Sequence, residues 1–448
     1  MRKRILLHIV AVAVVATALS ASPLLAGDQE EAVQEFGSRF DAVVANEAAL
    51  NANAPTSHAP CIDGMSAGEF PCDNVDMLSF VPHGALGTTF VNDIWGWTDP
   101  QTGKDYALLG SSEGTVFVDI SDPKRPQVLG ILPTHSTAGG AFWRDIKVYE
   151  NHAFVVSEHS NHGMQVFDLT QLRDWDGTYT IYSNTAHYSV FGRAHNININ
   201  EDTGFAYAVG ARQGEGCNFG LHMIDISDPT NPTFAGCFGD NGYVHDTQCV
   251  IYEGPDAEHR GKEICFNSNA PGAYGSTNHW VDIVDVTDKA NPVSLGRSDY
   301  PLSGYSHQGW LTPDQATFLH GDEGDEFIHG LGTTTRVWDV SDLENPTLIG
   351  VHDNGTTSID HNVYTEGRLA FASNYTTGLR VWDTRDAADG ELTELGYFDV
   401  YPENDNASFE GGTWSNFTYF SQKKVVAVSS IDRGLFILRP RGGLNNND

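Results

Sequence analysis

A strand-like phrase recurs along this chain and leaves few folds open to it. It reads GTVFVDISDPKRPQVLG from Gly114, GMQVFDL from Gly163, GLHMIDISDPTNPTFAG from Gly220, HWVDIVDVTDKANPVSLG from His279, TTRVWDVSDLENPTLIG from Thr334, GLRVWDT from Gly378 and GLFILRP from Gly434. Six of the seven phrases place an Asp at the same point: Asp119, Asp168, Asp225, Asp285, Asp339 and Asp383, between 44 and 60 residues apart. Arg439 takes the seventh place. Each phrase alternates β-branched or aromatic residues with others, as a half-buried strand does. In the longer phrases an Asp/Pro/Asn turn and a second strand ending in Gly follow. A period near fifty with several strands per unit is that of a propeller blade, since solenoid repeats are shorter.

A second series keeps the same phase: VNDIWGW from Val91, WRDIKVY from Trp143, AHNININ from Ala194, VHDTQCV from Val244, SHQGWLT from Ser306, DHNVYTE from Asp360 and TWSNFTY from Thr413. An apolar strand follows each one, so a unit runs innermost strand, second strand, Asp-ending third strand and Pro-led fourth strand. The last unit stops at Pro440 without a fourth strand, while Asn74–Val81 is a strand-like run with no unit of its own. One end can complete the other and hide an open sheet edge. The expected fold is therefore all-β: a seven-bladed β-propeller over residues 61–440, with an N-terminal strand closing the last blade.

Outside the ring, residues 1–26 read as a secretory signal: MRKR, an apolar stretch, then small residues before Gly27. Residues 27–60 are acidic and Ala-rich, a linker or loose helix, and 441–448 form a polar tail. No later stretch is apolar and long enough to span a bilayer, so a secreted or periplasmic bacterial protein is expected. Six cysteines agree with an oxidising compartment: Cys61, Cys72, Cys217, Cys237, Cys249 and Cys265. Pairing of neighbours is expected, Cys249 with Cys265 across one hairpin and Cys61 with Cys72 around a small loop. A thiolate metal site is disfavoured because no C-x-x-C pair occurs. A formal net charge of −34 sets the protein against nucleic acid and anionic lipid.

The phrases CIDGMSAGEFPCDNVDMLS, NDIWGWTD, WRDIKVYENHAFVVSEHSNHGMQVFDL, HDTQCVIYEG, HQGWLTPD, IDHNVY, SNYTTGLRVWD and GGTWSNFTYF together resemble the bacterial choice-of-anchor B family over roughly residues 60–440, and the repeats are similar to LVIVD propeller repeats. The resemblance implies an exported propeller. It carries no activity with it, and RGGLNNND departs from the family's anchoring tails, which favours a free form.

Chemistry in such a ring gathers where innermost strands converge on the channel. Those strands begin with Asn92-Asp93, Arg144-Asp145, His195-Asn196, His245-Asp246, His307-Gln308, His361-Asn362 and Ser415-Asn416. His195, His245, His307 and His361, with Asp93, Asp145 and Asp246 beside them, are candidate ligands for copper, zinc or iron. The same positions could instead serve the backbone of neighbouring blades. Arg144 could hold an anionic ligand or pair with Asp145 or Asp93. The turn GDEGDE offers Asp322, Glu323, Asp325 and Glu326 as hard oxygen ligands for calcium, or as a solvated acidic turn. No nucleophile elbow, phosphate-binding loop or H-E-x-x-H is present. Two functions follow: a monomeric scaffold binding a protein, glycan or small molecule across the channel face, or a metal-dependent oxidase or hydrolase with histidine ligands.

Overall fold

The computed structural model describes residues 57–272, 274–420 and 423–442; the signal-like segment, most of the acidic linker and the end of the tail lie outside the described residues. Seven sheets of four core strands surround a central channel. Their innermost strands are Val91–Thr98, Arg144–Tyr149, Asn196–Asn200, Val244–Ile251, Ser306–Leu311, Val363–Glu366 and Thr413–Phe420, which number blades 1 to 7. No described helix is long and apolar enough to cross a membrane.

The recurring Asp has a local cause. Its carboxylate accepts the N–H two residues on, at the corner between third and fourth strands: Asp119 from Ser121, Asp225 from Ser227, Asp285 from Thr287 and Asp339 from Ser341, at 2.8–3.0 Å. A second Asp repeats the device three residues later, as Asp228 does with the Thr230 N–H. These are Asx turns, which satisfy the corner backbone without a strand partner. Arg439 needs no such corner, because its strand goes on to pair with the N-terminal one.

The Gly in the fourth strands of blades 1, 3, 4, 5 and 6 has a different cause. A Cβ on Gly236 would come within 1.9 Å of the Lys289 carbonyl oxygen, and one on Gly296 within 2.3 Å of the Leu343 carbonyl oxygen. Both carbonyls belong to the corner of the next blade. Absence of a side chain therefore lets successive blades approach backbone to backbone. The core is accordingly distributed between blades: Leu108 and Phe117 of blade 1 pack with Ile146, Val155 and Phe167 of blade 2, all buried.

The ring closes as the chain ends suggested. Val75–Pro82 pairs antiparallel with Gly434–Pro440 as the fourth strand of blade 7. Just before it, Phe70–Asp73 adds to the outer edge of blade 6 by pairing with Thr393–Phe398, so one segment seals two adjacent blades. Three disulfides join neighbours, Cys61–Cys72, Cys217–Cys237 and Cys249–Cys265, and no described cysteine is free. Cys249 and Cys265 do face each other across a hairpin.

Removing the residues before His83 leaves the Gly434–Pro440 edge open. We expect this truncation to self-associate and unfold at lower temperature than the full chain; light scattering and thermal denaturation check it, and an unchanged monomer of unchanged stability would refute the closure.

Candidate metal centre at the channel mouth

The first tier of the channel is formed where the innermost strands begin. Asn92, Arg144, His195, His245, His307, His361 and Trp414 stand at equivalent points. The seventh differs from the expected Ser415-Asn416 by one residue: His361 Nδ1 meets the Trp414 carbonyl as His245 Nδ1 meets the His307 carbonyl. The slip has a physical source, since the strand registers break between Val91 and Ile94, Val244 and Asp246, Ser306 and Gly309, and Thr413 and Ser415. These β-bulges re-aim side chains at the strand starts.

The four histidines form a continuous row, with ring centroids 4.2, 4.3 and 4.2 Å apart from His195 through His245 and His307 to His361. His245 donates from Nδ1 to the His307 carbonyl at 2.8 Å, and His361 donates from Nδ1 to the Trp414 carbonyl. A carbonyl only accepts, so the proton is fixed on Nδ1 and the Nε2 lone pair is left free. Burial, reinforced by the neighbouring imidazoles, pushes His245 and His307 well below the usual histidine range, and burial pushes His361 down to about 3. All three are neutral, the form that ligates metals. His195 differs. Burial alone would lower it, but a 2.5 Å contact between its Nδ1 and Glu158 raises it.

The carboxylate facing this row is Glu323. Its oxygens lie 3.6 Å from His307 Nε2 and 3.6 Å from His361 Nε2. That separation is too long for a hydrogen bond and close to the spacing of about 3.3 Å between two ligands of one tetrahedral ion. One ligand atom each from His245, His307 and Glu323 lie within 4.8 Å of one another. Tyr274 and Tyr375 donate to Glu323 at 2.6 and 2.7 Å and fix its orientation. Burial pushes the Glu323 carboxyl up to about 7 despite these bonds. Aromatic rings cover the site: Trp414 and Tyr375 pack on His361 at 4.8 and 4.9 Å, and Tyr305 on His245 at 5.2 Å. A free volume of about 10 Å³, room for one ion or one water, lies between the row and the aspartates of the innermost strands, lined by His195, His307 and His361 together with Asp93, Asp145 and Asp246.

Asp93, Asp145 and Asp246, expected beside the histidines, occupy the next tier and serve another purpose. Asp93 accepts the Ile146 N–H and Asp145 the Ile197 N–H, each from the following blade. Lys147 Nζ lies 2.5 Å from Asp145 and 3.8 Å from Asp93. Burial pushes Asp93 well above the usual range, and burial with the neighbouring Asp145 charge pushes Asp246 up to about 7. Arg144 pairs with neither aspartate: its Nε donates to the Ser111 carbonyl at 2.7 Å, and its two Nη groups have no hydrogen-bond partner among the described residues.

The acidic turn divides. Asp322 is held by the N–H groups of Gly304, Tyr305 and Gly324 and by the Tyr300 hydroxyl, Glu323 turns to the histidines, and Asp325 and Glu326 meet Asp360 of blade 6. Sequence reasoning therefore missed Glu323 as the histidines' carboxylate. A signal for it exists: in an antiparallel pair, the residue just past the second strand lies beside the start of the first. Glu158, Glu323 and Tyr375 all follow second strands, His152–Ser157, Thr317–Asp322 and Leu369–Asn374.

Among the described residues, Lys147 is the one lysine or arginine lining this aspartate tier. Lys147→Met should therefore cost about 3–5 kcal/mol of stability by leaving buried carboxylates uncompensated; urea denaturation measures it, and a loss below about 1 kcal/mol would mean that the tier does not carry charge.

A model of the LVIVD repeat matches residues 192–240, the span from just before His195 to the end of blade 3. No curated protein sequence matches the chain significantly. Among solved structures, that of U3-55K aligns over 80% of this chain and 100% of its own, at 9% identity and a TM-score of 0.48. The chain is a seven-bladed β-propeller whose residues 192–240 carry an LVIVD repeat.

Proposed function

We propose that this is an exported propeller of the choice-of-anchor B kind that holds one transition-metal ion at its channel mouth, with His245, His307, His361 and Glu323 as ligands and His195 completing the row. The observation that carries the reading is the pair of 3.6 Å approaches of imidazole Nε2 atoms to one buried carboxylate. The His361 Nε2 lone pair, left free by the Nδ1 bond to the Trp414 carbonyl, repels that carboxylate when it is ionised unless a cation stands between them. Three imidazoles and a carboxylate suit zinc, copper or iron. When bound, such an ion supplies Lewis-acid or one-electron chemistry, the basis of an oxidase or hydrolase. The chain's own part is to fix the His245 and His361 tautomers through carbonyls, to orient Glu323 through Tyr274 and Tyr375, and to exclude water with the aromatic cover. Export is supported by the signal-like start, the three disulfides and the absence of a membrane-crossing helix among the described residues.

Protein purified from its native compartment is expected to carry about one equivalent of copper, zinc or iron per chain by elemental analysis, with His245→Ala and His307→Ala retaining less than a tenth of it. A metal-free native protein, or metal content unaffected by both substitutions, removes the reading.

The opposite mouth favours a second, compatible role in ligand binding. A funnel of about 600 Å³ opens there, lined by Trp95, Trp310, Tyr419, Asn198 and Gln248. Asn198 Oδ1 accepts the Cys249 N–H and Gln248 Oε1 accepts the Leu311 N–H, which pins both amides and leaves their NH₂ groups without a protein partner among the described residues. Fixed amide donors beside partly exposed indoles suit a neutral glycan, whose C–H face stacks while its hydroxyls accept. Titration with neutral oligosaccharides is expected to change the tryptophan fluorescence, and Trp310→Ala to weaken binding at least tenfold; no response to any oligosaccharide would exclude a glycan ligand.

A further inference from the structure

Behind the histidine row, between blades 5 and 6, lies a second cluster made only of oxygen. Asp325, Glu326 and Asp360 are 0, 3 and 2% exposed, and one oxygen from each lies within 4.8 Å of the others. Most of their oxygens have partners. Asp325 Oδ2 accepts from Arg336 at 2.7 Å and Thr334 at 3.0 Å, Glu326 Oε1 accepts the Asp360 N–H at 3.1 Å, and both Asp360 oxygens accept the Asp322 N–H at 3.2 Å. Asp325 Oδ1 and Glu326 Oε2, both buried, have none. With Asp322 there are four buried carboxylates against the single guanidinium of Arg336. Asp322 is fully satisfied by three backbone N–H groups and the Tyr300 hydroxyl, so the excess charge rests on the other three.

Buried, unpaired carboxylate charge is costly, and a native chain removes it with a proton or a cation. A shared proton satisfies one pair of oxygens. It does not account for three carboxylates drawn from two blades to a common point. We infer that Asp325, Glu326 and Asp360 form a second cation site that takes Ca²⁺. All donors are hard oxygens, with no nitrogen or sulfur, which selects against zinc and copper; a dehydrated carboxylate cage suits Ca²⁺ better than Mg²⁺, which keeps its waters. The site stands independently of the transition-metal reading, although it is covalently next to it: Asp360 precedes His361, and Asp325 lies two residues beyond Glu323. A bound Ca²⁺ would brace blade 5 against blade 6 where both contribute to the channel mouth.

The test uses the full chain after chelation and exchange into calcium-free buffer. Thermal unfolding is followed with and without excess Ca²⁺, and Tb³⁺ serves as a luminescent probe sensitised by nearby tyrosines such as Tyr300. Ca²⁺ is expected to raise the Tm by about 3 °C or more, and one Tb³⁺ per chain to bind and be displaced by Ca²⁺ but not by Zn²⁺. Glu326→Gln should abolish the Ca²⁺ response while matching or exceeding the wild-type Tm in chelator, because it relieves repulsion; a misfolded variant would instead fall below it. His307→Ala should keep the response, which separates this site from the histidine centre. A wild-type Tm indifferent to Ca²⁺, or a Glu326→Gln variant that still responds, overturns the proposal, and the first of these results would assign the cluster to a shared proton.

Discussion

An innermost propeller strand has one edge paired within its own blade and the other turned to the channel, where no strand can reach it. Its outward N–H groups must still be met. In this chain they are met by side chains of the preceding blade: Asp93 takes Ile146, Asp145 takes Ile197, Asn198 takes Cys249, Gln248 takes Leu311 and Gln308 takes Val363. Each of these is a bond between blades distant in sequence, and together they fix the heights of the inner strands from blade 1 through blade 6 relative to one another. The channel is polar for this reason before any ligand is considered. The same staples hold the histidines in register, since each His immediately precedes the stretch so pinned.

Bulges then convert a structural ring into a chemical one. A regular strand alternates its side chains, so a His and the next residue would face opposite sides. Where two residues oppose one, as at His245 and at His307-Gln308, both needs are served: one residue faces the channel mouth and the next reaches the neighbouring backbone. The cost is loss of ladder bonds at the strand start, and carbonyl acceptors for His245 and His361 Nδ1 become available at the same place. The imidazoles are thus oriented by the irregularity itself.

Blade number, strand order, ring closure and cysteine pairing were legible in the sequence because each follows from a repeated local rule. The Asx corner needs an Asp, the close blade contact needs a Gly, and an orphan strand at one end answers a missing strand at the other. The site was legible only in part. Phase placed His195, His245, His307 and His361 in one row, yet Trp414 rather than Ser415 completes the tier, because a bulge shifts the count by one without any mark in composition. Asp93 and Asp145 looked like ligands and act as staples, since a carboxylate that accepts an N–H and one that binds a metal are the same residue type. Arg144 looked like a partner for them and instead bonds the Ser111 carbonyl. Glu323 was assigned to an acidic turn because sequence proximity to Asp322 and Asp325 conceals that neighbouring residues turn to different surroundings.

The channel is not a passage, and that bears on how its two mouths relate. Between them stands the tier of Asp93, Asp145 and Asp246 with the Lys147 ammonium among them, all buried apart from a partly covered Asp246. Lys147 also lies 4.5 Å from the Trp95 ring, so the same ammonium that balances the tier forms part of the funnel floor on the other side. A ligand in the funnel therefore meets the far side of a charged plug, and the histidine mouth must be reached from the aromatic cover of Trp414, Tyr375 and Tyr305. Coupling between the mouths, where it exists, runs through the electrostatics of Lys147 rather than through transport of a ligand along the axis: a group that displaced Lys147 toward the funnel would leave Asp145 less compensated, and Asp93 and Asp246, whose carboxyls the Asp145 charge already pushes up, would feel that change.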